Sequence, residues 1–469
     1  MIRDMLLNNL IIFASLMLLM ACNSSTSSQD VNEGEEQIVV KDSIKIQVDA
    51  SDKIPISPNL FGVNNDWRQI TDGEFPSFIS SLKDISFDLM RYPGGWESEH
   101  YNWDNNTTPG WDKSPEKPGA SVSTLMANVD SYSIVLPTLP AMNQALGTST
   151  WEEKVAELEQ RAEKAIYKVG ATNVAIVEIG NEWWLQWGGG VSREKKLVKY
   201  VKIAMNIAEH IEQQFPDREF KLLVNGDYTK PGEFTTMKQE FAKAYEVIDG
   251  VALHTYTGYD TNTHHIDDLS ARIKACANNF NAQKDFIYLS EWMPSRDYNN
   301  RKLYMEAANL IPDIFHIYAR SGTDAAAYWP PVNTSIPGLG LLNNDFSTKW
   351  PVGQIFGDLS ESYHGHAVKT TSPDSILIAG ALQSSDQLVL YVPGKGLPPT
   401  QITISVDGFA SSSVESAVKF RPADYSNPGS AEPYITENAS SSVNKSANEI
   451  EFNINRDGEY EIFKIVLTK

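Results

Sequence analysis

Between about Pro55 and Gly365, short apolar runs alternate with longer stretches of helical periodicity. No other feature constrains the fold as tightly. The runs are Leu60–Val63, Phe87–Arg91, Ile134–Pro137, Val174–Ile179, Lys221–Asn225, Val251–Thr255, Phe286–Ser290 and Ala325–Trp329. One intervening helix is expected from Trp151 through Tyr167. A second is expected over Arg193–Gln214, stopped by Phe215-Pro216 because proline cannot continue a helix. Strands separated by helices predict a parallel sheet, since each parallel step needs a crossover. Eight such units over roughly 300 residues predict a (β/α)8 TIM barrel, typically about 250 residues plus insertions.

The pattern changes after Gly365. Ser375–Gln383, Gln387–Val392, Gln401–Val406, Ile450–Ile454 and Tyr460–Leu467 alternate with a period of two and are separated by turn residues. This predicts an all-β C-terminal sandwich. The stretch from Ser43 to Ala50 alternates in the same way and is expected to join that sandwich. The expected organisation is therefore a leader over 1–22, a linker over 23–40 and an N-terminal sandwich strand over 41–54. The barrel follows over 55–365 and the sandwich over 366–469.

The leader combines Arg3, a short apolar stretch from Leu10 to Met20 and small residues before Cys22. That is the composition of a secretory signal, and it is short for a membrane span of about 20 residues. Leu19-Met-Ala-Cys22 resembles the bacterial lipobox, which implies cleavage before Cys22 and a lipid anchor on it. The expected location is the bacterial cell envelope, at the outer membrane, facing the periplasm or the surface. The other cysteine, Cys276, then has no disulfide partner and reads as a small buried residue of a helix. The net charge of −21, from 60 acidic and 39 basic residues, argues against nucleic acid, whose phosphates it would repel. No Cys/His cluster has zinc-ligand spacing, and no metal or cofactor is expected. Protein partners are not legible.

Two glutamates carry the chemistry. Glu182 ends Val174-Ala-Ile-Val-Glu-Ile-Gly-Asn-Glu182, and Glu291 ends Phe286-Ile-Tyr-Leu-Ser-Glu291. Each carboxylate follows an apolar run, at the strand ends where such barrels place their chemistry. Two carboxylates facing one another are the equipment for cleaving a glycosidic bond.

Asn-Glu after strand four and Glu after strand seven resemble glycoside hydrolase clan A. Within it, Leu89-Met-Arg-Tyr-Pro-Gly-Gly95, Tyr101-Asn-Trp103, Leu60-Phe-Gly-Val-Asn-Asn-Asp66, Ile179-Gly-Asn-Glu182 and Leu253-His-Thr-Tyr256 resemble the family 51 α-L-arabinofuranosidases. The resemblance spans the barrel and the flanking β-module. It departs at Trp96, where that family has a small polar residue, at Asp66, where it has Glu, and at Trp183-Trp184.

The resemblance implies a retaining mechanism. Glu291 is then the nucleophile and Glu182 the general acid and base. Arg91 and Tyr256 are expected to hydrogen-bond the nucleophile, and His254 to line the same site, two residues before Tyr256 on one strand face. Asn181 and Asp66 are expected to bind sugar hydroxyls. Trp329 would floor the site, with Trp96, Trp183, Trp184 and Trp187 as further platforms. Pro93-Gly94-Gly95 reads as a tight turn allowing close backbone approach. The expected substrate is a plant or algal polysaccharide or oligosaccharide, cleaved as an α-L-arabinofuranosidase would. An endo-acting β-glycanase of the same clan, β-agarase-like for example, stays open. So does a non-catalytic surface glycan-binding lipoprotein, which turnover of a polysaccharide panel would exclude.

Overall fold

The computed structural model describes residues 42–469 apart from 84, 86, 109–118, 186–190, 242–245, 259–264, 281–285, 295–301, 334–335, 337, 373–377, 411–412, 429–432 and 455–459. The expected leader, linker and Cys22, and also Trp187, lie outside the described residues.

The chain opens with β1 (Asp42–Pro55) and then runs into a closed parallel barrel. Its strands are β2 (Gly62–Asn64), β3 (Met90–Tyr92), β4 (Tyr132–Leu136), β5 (Val174–Ile179), β6 (Lys221–Gly226), β7 (Gly250–Thr257), β8 (Phe286–Pro294) and β9 (Ala325–Tyr328). A helix follows each one, in turn Phe75–Ser81, Val122–Asn128, Ser149–Val169, Arg193–Gln214, Pro231–Phe241, Leu269–Phe280, Ile311–Arg320 and Pro351–Ser362. The fourth is typical of how sequence sets these helices. Ser192 caps it by accepting the Lys195 N–H, and its buried stripe of Leu197, Val201, Ala204, Ala208 and Ile211 recurs every three or four residues. Cys276 is buried and free on the Leu269–Phe280 helix, as expected.

The remaining strands are β10 (His366–Thr371), β11 (Ala379–Ser384), β12 (Gln387–Pro393), β13 (Thr400–Asp407), β14 (Ser413–Arg421), β15 (Ile435–Asn438), β16 (Asn444–Ser446), β17 (Glu449–Ile454) and β18 (Ile462–Thr468). With β1 they form one ten-stranded sheet in the order β15-β14-β18-β12-β11-β10-β1-β13-β17-β16. β1 pairs in parallel with β13 and antiparallel with β10, so the N-terminal strand does join the C-terminal module. The sheet folds over on itself. Phe452 of β17 and Phe463 of β18 pack with ring centres 4.5 Å apart, although neither strand hydrogen-bonds to the other. Between the layers lie Ile44, Ile46 and Val48, Leu388, Leu390 and Val392, and Ile402, Ile404 and Val406. This period-two pattern is that of a half-buried strand, with about 1.5–3 kcal/mol gained per aliphatic side chain removed from water. The other face of β11 and β12 joins the barrel core through Ala379, Ala381, Val389 and Tyr391, and Tyr391 OH donates to Asp358 Oδ1 at 2.5 Å.

Candidate active site

The site begins as a change of side chains inside the barrel. Leu89, Ile176, Leu223, Ala252, Tyr288, Ala325 and Ala327 form one buried interior cluster. Two residues further along the same strands stand Arg91, Glu178, Asn225, His254 and Ser290, all buried. Period-two geometry turns all of them to the same interior, one layer nearer the C-terminal mouth.

Arg91 organises this layer. Its Nε donates to Glu178 Oε2 at 2.7 Å, Nη1 to Glu291 Oε1 at 2.7 Å and Asn64 Oδ1 at 3.0 Å, and Nη2 to Asn181 Oδ1 at 2.7 Å. Glu178 also accepts from Asn225 Nδ2 at 2.6 Å and Ser290 Oγ at 2.9 Å. Burial alone would raise the Glu178 carboxyl. The cations Arg91 and His254 outweigh that and hold it down at about 2. Burial likewise opposes the Arg91 charge, but Glu178 and Glu291 raise its pKa. For His254, burial pulls down while Glu291, Glu178 and Glu182 pull up, and the carboxylates win, at about 10.

Glu291 reaches the interior through a bulge. Tyr288 pairs with Ala252 and Glu291 with His254, so β8 carries one residue more than β7 across this step. The same extra residue appears against β9, between Leu289 and Trp292. The bulge lets Ser290 and Glu291 both face inward, while Trp292 packs outward on Phe315 and Phe356. Glu291 thus lies within β8, three residues before its end, not beyond it as the sequence suggested. Tyr256 OH donates to Glu291 Oε2, so both carboxylate oxygens are held.

Glu182 sits three residues past β5, in the left-handed region at φ +46°. Its N–H donates to Asn225 Oδ1 at 2.9 Å, which fixes the turn. Its side chain is 18% exposed against 3% for Glu291. His254 Nδ1 lies 3.2 Å from Glu182 Oε1 and 3.4 Å from Glu291 Oε2. One oxygen of each glutamate and a ring nitrogen of His254 lie within 4.8 Å of one another. That is short of the about 6.5–9.5 Å that lodges a water between two carboxyls, and near the about 5–5.5 Å of a pair that attacks carbon directly. The same three donors have metal-ligand spacing. The Arg91 guanidinium on Glu291 and the raised pKa of His254 oppose a further cation there.

The other expected residues separate into two groups. Asn181 is buried beside Arg91, and its N–H donates to Glu99 Oε1 at 2.5 Å. Asp66 is buried at the end of β2, where burial pushes it up to about 6. Trp329 lies against Gly94 and Gly95, whose φ of +92° and +61° suits glycine. A Cβ on Gly95 would stand 2.4 Å from Trp329 Cη2, and one on Gly94 1.8 Å from the Asn65 carbonyl oxygen. The close approach expected of this turn is therefore real. Trp184 is partly buried and meets the His254 ring edge-on at 5.9 Å.

Trp183 does not form a platform. It is fully buried, stacked on Tyr200 at 5.3 Å, with Nε1 donating to Asn225 O at 2.9 Å. Its place beside Glu182 suggested a platform for the sugar, but after the left-handed Glu182 the ring lies in the core. Trp96 is partly buried and packs on His100, at the end of its own turn, at 5.8 Å.

Sequence reasoning missed Glu178, Asn225, Asn64, Glu97 and Glu99. Glu178 was detectable as a charge inside an otherwise apolar run. Glu99 is buried and accepts the N–H groups of Thr138 at 2.6 Å, Leu139 at 2.7 Å and Asn181 at 2.5 Å, yet burial pushes it up to about 7. It ties the loops after β4 and β5 together.

No family model matches the chain, and no curated protein matches it in sequence. Solved structures share its fold. It is similar to the family 51 arabinofuranosidase from Xanthomonas axonopodis pv. citri, with a TM-score of 0.66 and 14% identity over 91% of this chain and 100% of that one. It is similar to AbfB, a family 51 α-L-arabinofuranosidase from Bifidobacterium longum, with a TM-score of 0.63 and 13% identity over 91% and 100%. A Paenibacillus polymyxa xyloglucanase from glycoside hydrolase family 44 gives a TM-score of 0.60 and 14% identity over 92% and 100%. The chain therefore has the barrel-plus-sandwich fold of these glycosidases.

Proposed function

We propose that this chain is a retaining glycoside hydrolase acting on a plant or algal polysaccharide or oligosaccharide, in the manner of an α-L-arabinofuranosidase. The observation that carries the reading is the pair Glu182 and Glu291, one just past the fourth barrel strand and one within the seventh, with carboxylate oxygens within 4.8 Å. The two are unequal, and the inequality supports a division of labour. Glu291 is buried and gripped at both oxygens by Arg91 and Tyr256, which suits a nucleophile aimed at one carbon. Glu182 is the more open carboxyl, which suits an acid that meets the leaving oxygen and then the incoming water.

In this mechanism Glu291 attacks the anomeric carbon as Glu182 gives its proton to the departing oxygen. A glycosyl-enzyme on Glu291 results. Glu182 then takes a proton from water as the water displaces Glu291. His254 contacts both carboxyls and can follow the change in charge between them. Arg91 stays charged throughout and neutralises Glu291 whenever it is free.

An endo-acting β-glycanase is the second reading. It is favoured by Trp184, which borders the acid where the resembling family is less aromatic, and by the likeness to a xyloglucanase. We also hold to a lipid-anchored form attached at Cys22, on the lipobox alone. Cys22→Ser should then release the protein from membranes.

Incubation with a panel of plant and algal polysaccharides, read by reducing ends, tests for turnover. Proton NMR of the first product tests the mechanism, and the anomer of the substrate is expected. An inverted first anomer would remove Glu291 from the nucleophile's role. Glu182→Ala should lose about 10²–10⁴-fold on poor leaving groups, much less on activated aryl glycosides, and recover partly with azide.

A further inference from the structure

Glu97 is a carboxylate that the mechanism does not use. It lies in the short turn Trp96–Glu99, after Gly94-Gly95, with its side chain 3% exposed. Its Oε1 has no hydrogen-bond partner among the described residues, and the nearest cation is Arg68 Nε at 3.1 Å, on a side chain 42% exposed. Its own backbone N–H also hydrogen-bonds the carboxylate, but Oε1 is left without such a bond, which is costly in a buried site unless something else meets it.

Its surroundings indicate what does. The point where a Gly95 Cβ would stand is 3.2 Å from Glu97 Oε2 and 2.4 Å from Trp329 Cη2, so carboxylate and indole edge converge on one strip of backbone. Glu97 is also near enough to feel the charges of Asp66 and Glu291. Asp66 is fixed by Gln69 Nε2 at 2.6 Å and the Arg68 N–H at 3.2 Å. An indole edge beside one buried acceptor, with a second buried acceptor, Asp66, near enough to act on its charge, is a place for a ring that carries hydroxyl groups. Burial disfavours the charged form of both, pushing Glu97 up to about 7 and Asp66 up to about 6.

We propose that Glu97 is a specificity-determining residue that accepts a sugar hydroxyl together with Asp66 and confines the site to neutral sugars. This rests on the glycosidase reading above. An unsubstituted hydroxyl donates to these carboxylates, whereas a uronate or sulfate ester at the same edge brings like charge.

The test is steady-state kinetics on the best substrate of the polysaccharide panel, with full-length wild type, Glu97→Gln and Arg68→Met. Galacturonate and glucuronate are compared with xylose, arabinose and galactose as inhibitors. Wild type should be inhibited by at least one neutral sugar and at least tenfold more weakly by either uronate. Glu97→Gln should lose at least tenfold in kcat/KM, mainly through KM, and its neutral-over-uronate preference should shrink severalfold. Arg68→Met should stay within about threefold of wild type. If Glu97→Gln does not fold, Asp66→Asn carries the same expectation. Unchanged kinetics in Glu97→Gln, an Arg68→Met variant that reproduces its loss, or a wild type that prefers uronates would each overturn the proposal and leave the glycosidase reading standing. A wild type that turns over no polysaccharide would bring down that reading, and this inference with it.

Discussion

Two layers of the barrel interior, two residues apart on the same strands, differ in almost every property. The lower layer holds Leu89, Ile176, Leu223 and Ala252. The upper holds Arg91, Glu178, Asn225 and His254, all buried. Each lower side chain contributes by leaving water, independently of its neighbours. Each upper side chain is costly alone and acceptable only as part of the set, because a buried charge without its partner is uncompensated. The strands that supply stability in one layer therefore spend some of it in the next to hold two carboxylates at a fixed spacing.

The largest expected effect breaks the upper layer at its hub. Arg91→Met should strip Glu178 and Glu291 of the nearer of the two cations they share, leaving His254. Activity should fall by about 10²–10³-fold, the usual effect of losing one well-placed donor at developing charge. Stability should fall by about 3–5 kcal/mol. Urea unfolding and turnover measured on one preparation check both. A variant that kept activity would show that Glu291 does not depend on the network.

A lower-layer change should separate the two quantities. Leu223→Ala should cost about 2–5 kcal/mol through lost burial and the cavity left behind. Its turnover should stay within about threefold of wild type, since Asn225 two residues on keeps its strand position. If turnover instead fell by about two orders of magnitude with the protein still folded, the layers would be mechanically coupled and the distinction drawn between them would be false.

The contrast also explains what the sequence could reveal. β5 and the Arg193–Gln214 helix have the expected bounds, because an apolar run broken only by Glu178 and a capped 3.6-residue stripe are strong local signals. β10, β14, β15 and β16 escaped notice. Most of their residues are only partly buried or exposed, and β15 and β16 lie at the sheet's edges, so the alternation that marks a strand is missing. In the site, Arg91, His254, Tyr256 and Glu291 are legible as polar residues where apolar runs stop. Glu178 and Asn225 are polar residues inside or at the close of such runs, and only the barrel's closure shows that they meet. The β8 bulge has no local signature at all. Trp183 misled because its burial depends on one left-handed residue before it.

The smallest expected effect sharpens the comparison within the mouth itself, between a carboxylate paired to a cation and one held by three N–H groups and the Thr138 hydroxyl. Glu178 sits at about 2, below its ordinary 4.5, because Arg91 and His254 outweigh its burial. Its contribution to stability is complete above pH 4.5 and is lost as pH falls toward about 2. Glu99 sits at about 7, above its ordinary 4.5, because burial outweighs its three N–H donors. The folded chain keeps a proton there that the unfolded chain has released, so this contribution is complete below pH 4.5 and is lost as pH rises through about 7. Each single group changes the slope by at most about 1.4 kcal/mol per pH unit. Unfolding free energies from pH 2.5 to 8 should therefore show Glu178→Gln flattening the acid limb alone. Glu99→Gln should flatten the limb between pH 4.5 and 7 alone, whatever its overall stability. If both substitutions altered the same limb, the N–H groups around Glu99 would be holding an ionised carboxylate as firmly as Arg91 holds Glu178, and burial would not be what sets these two acids apart.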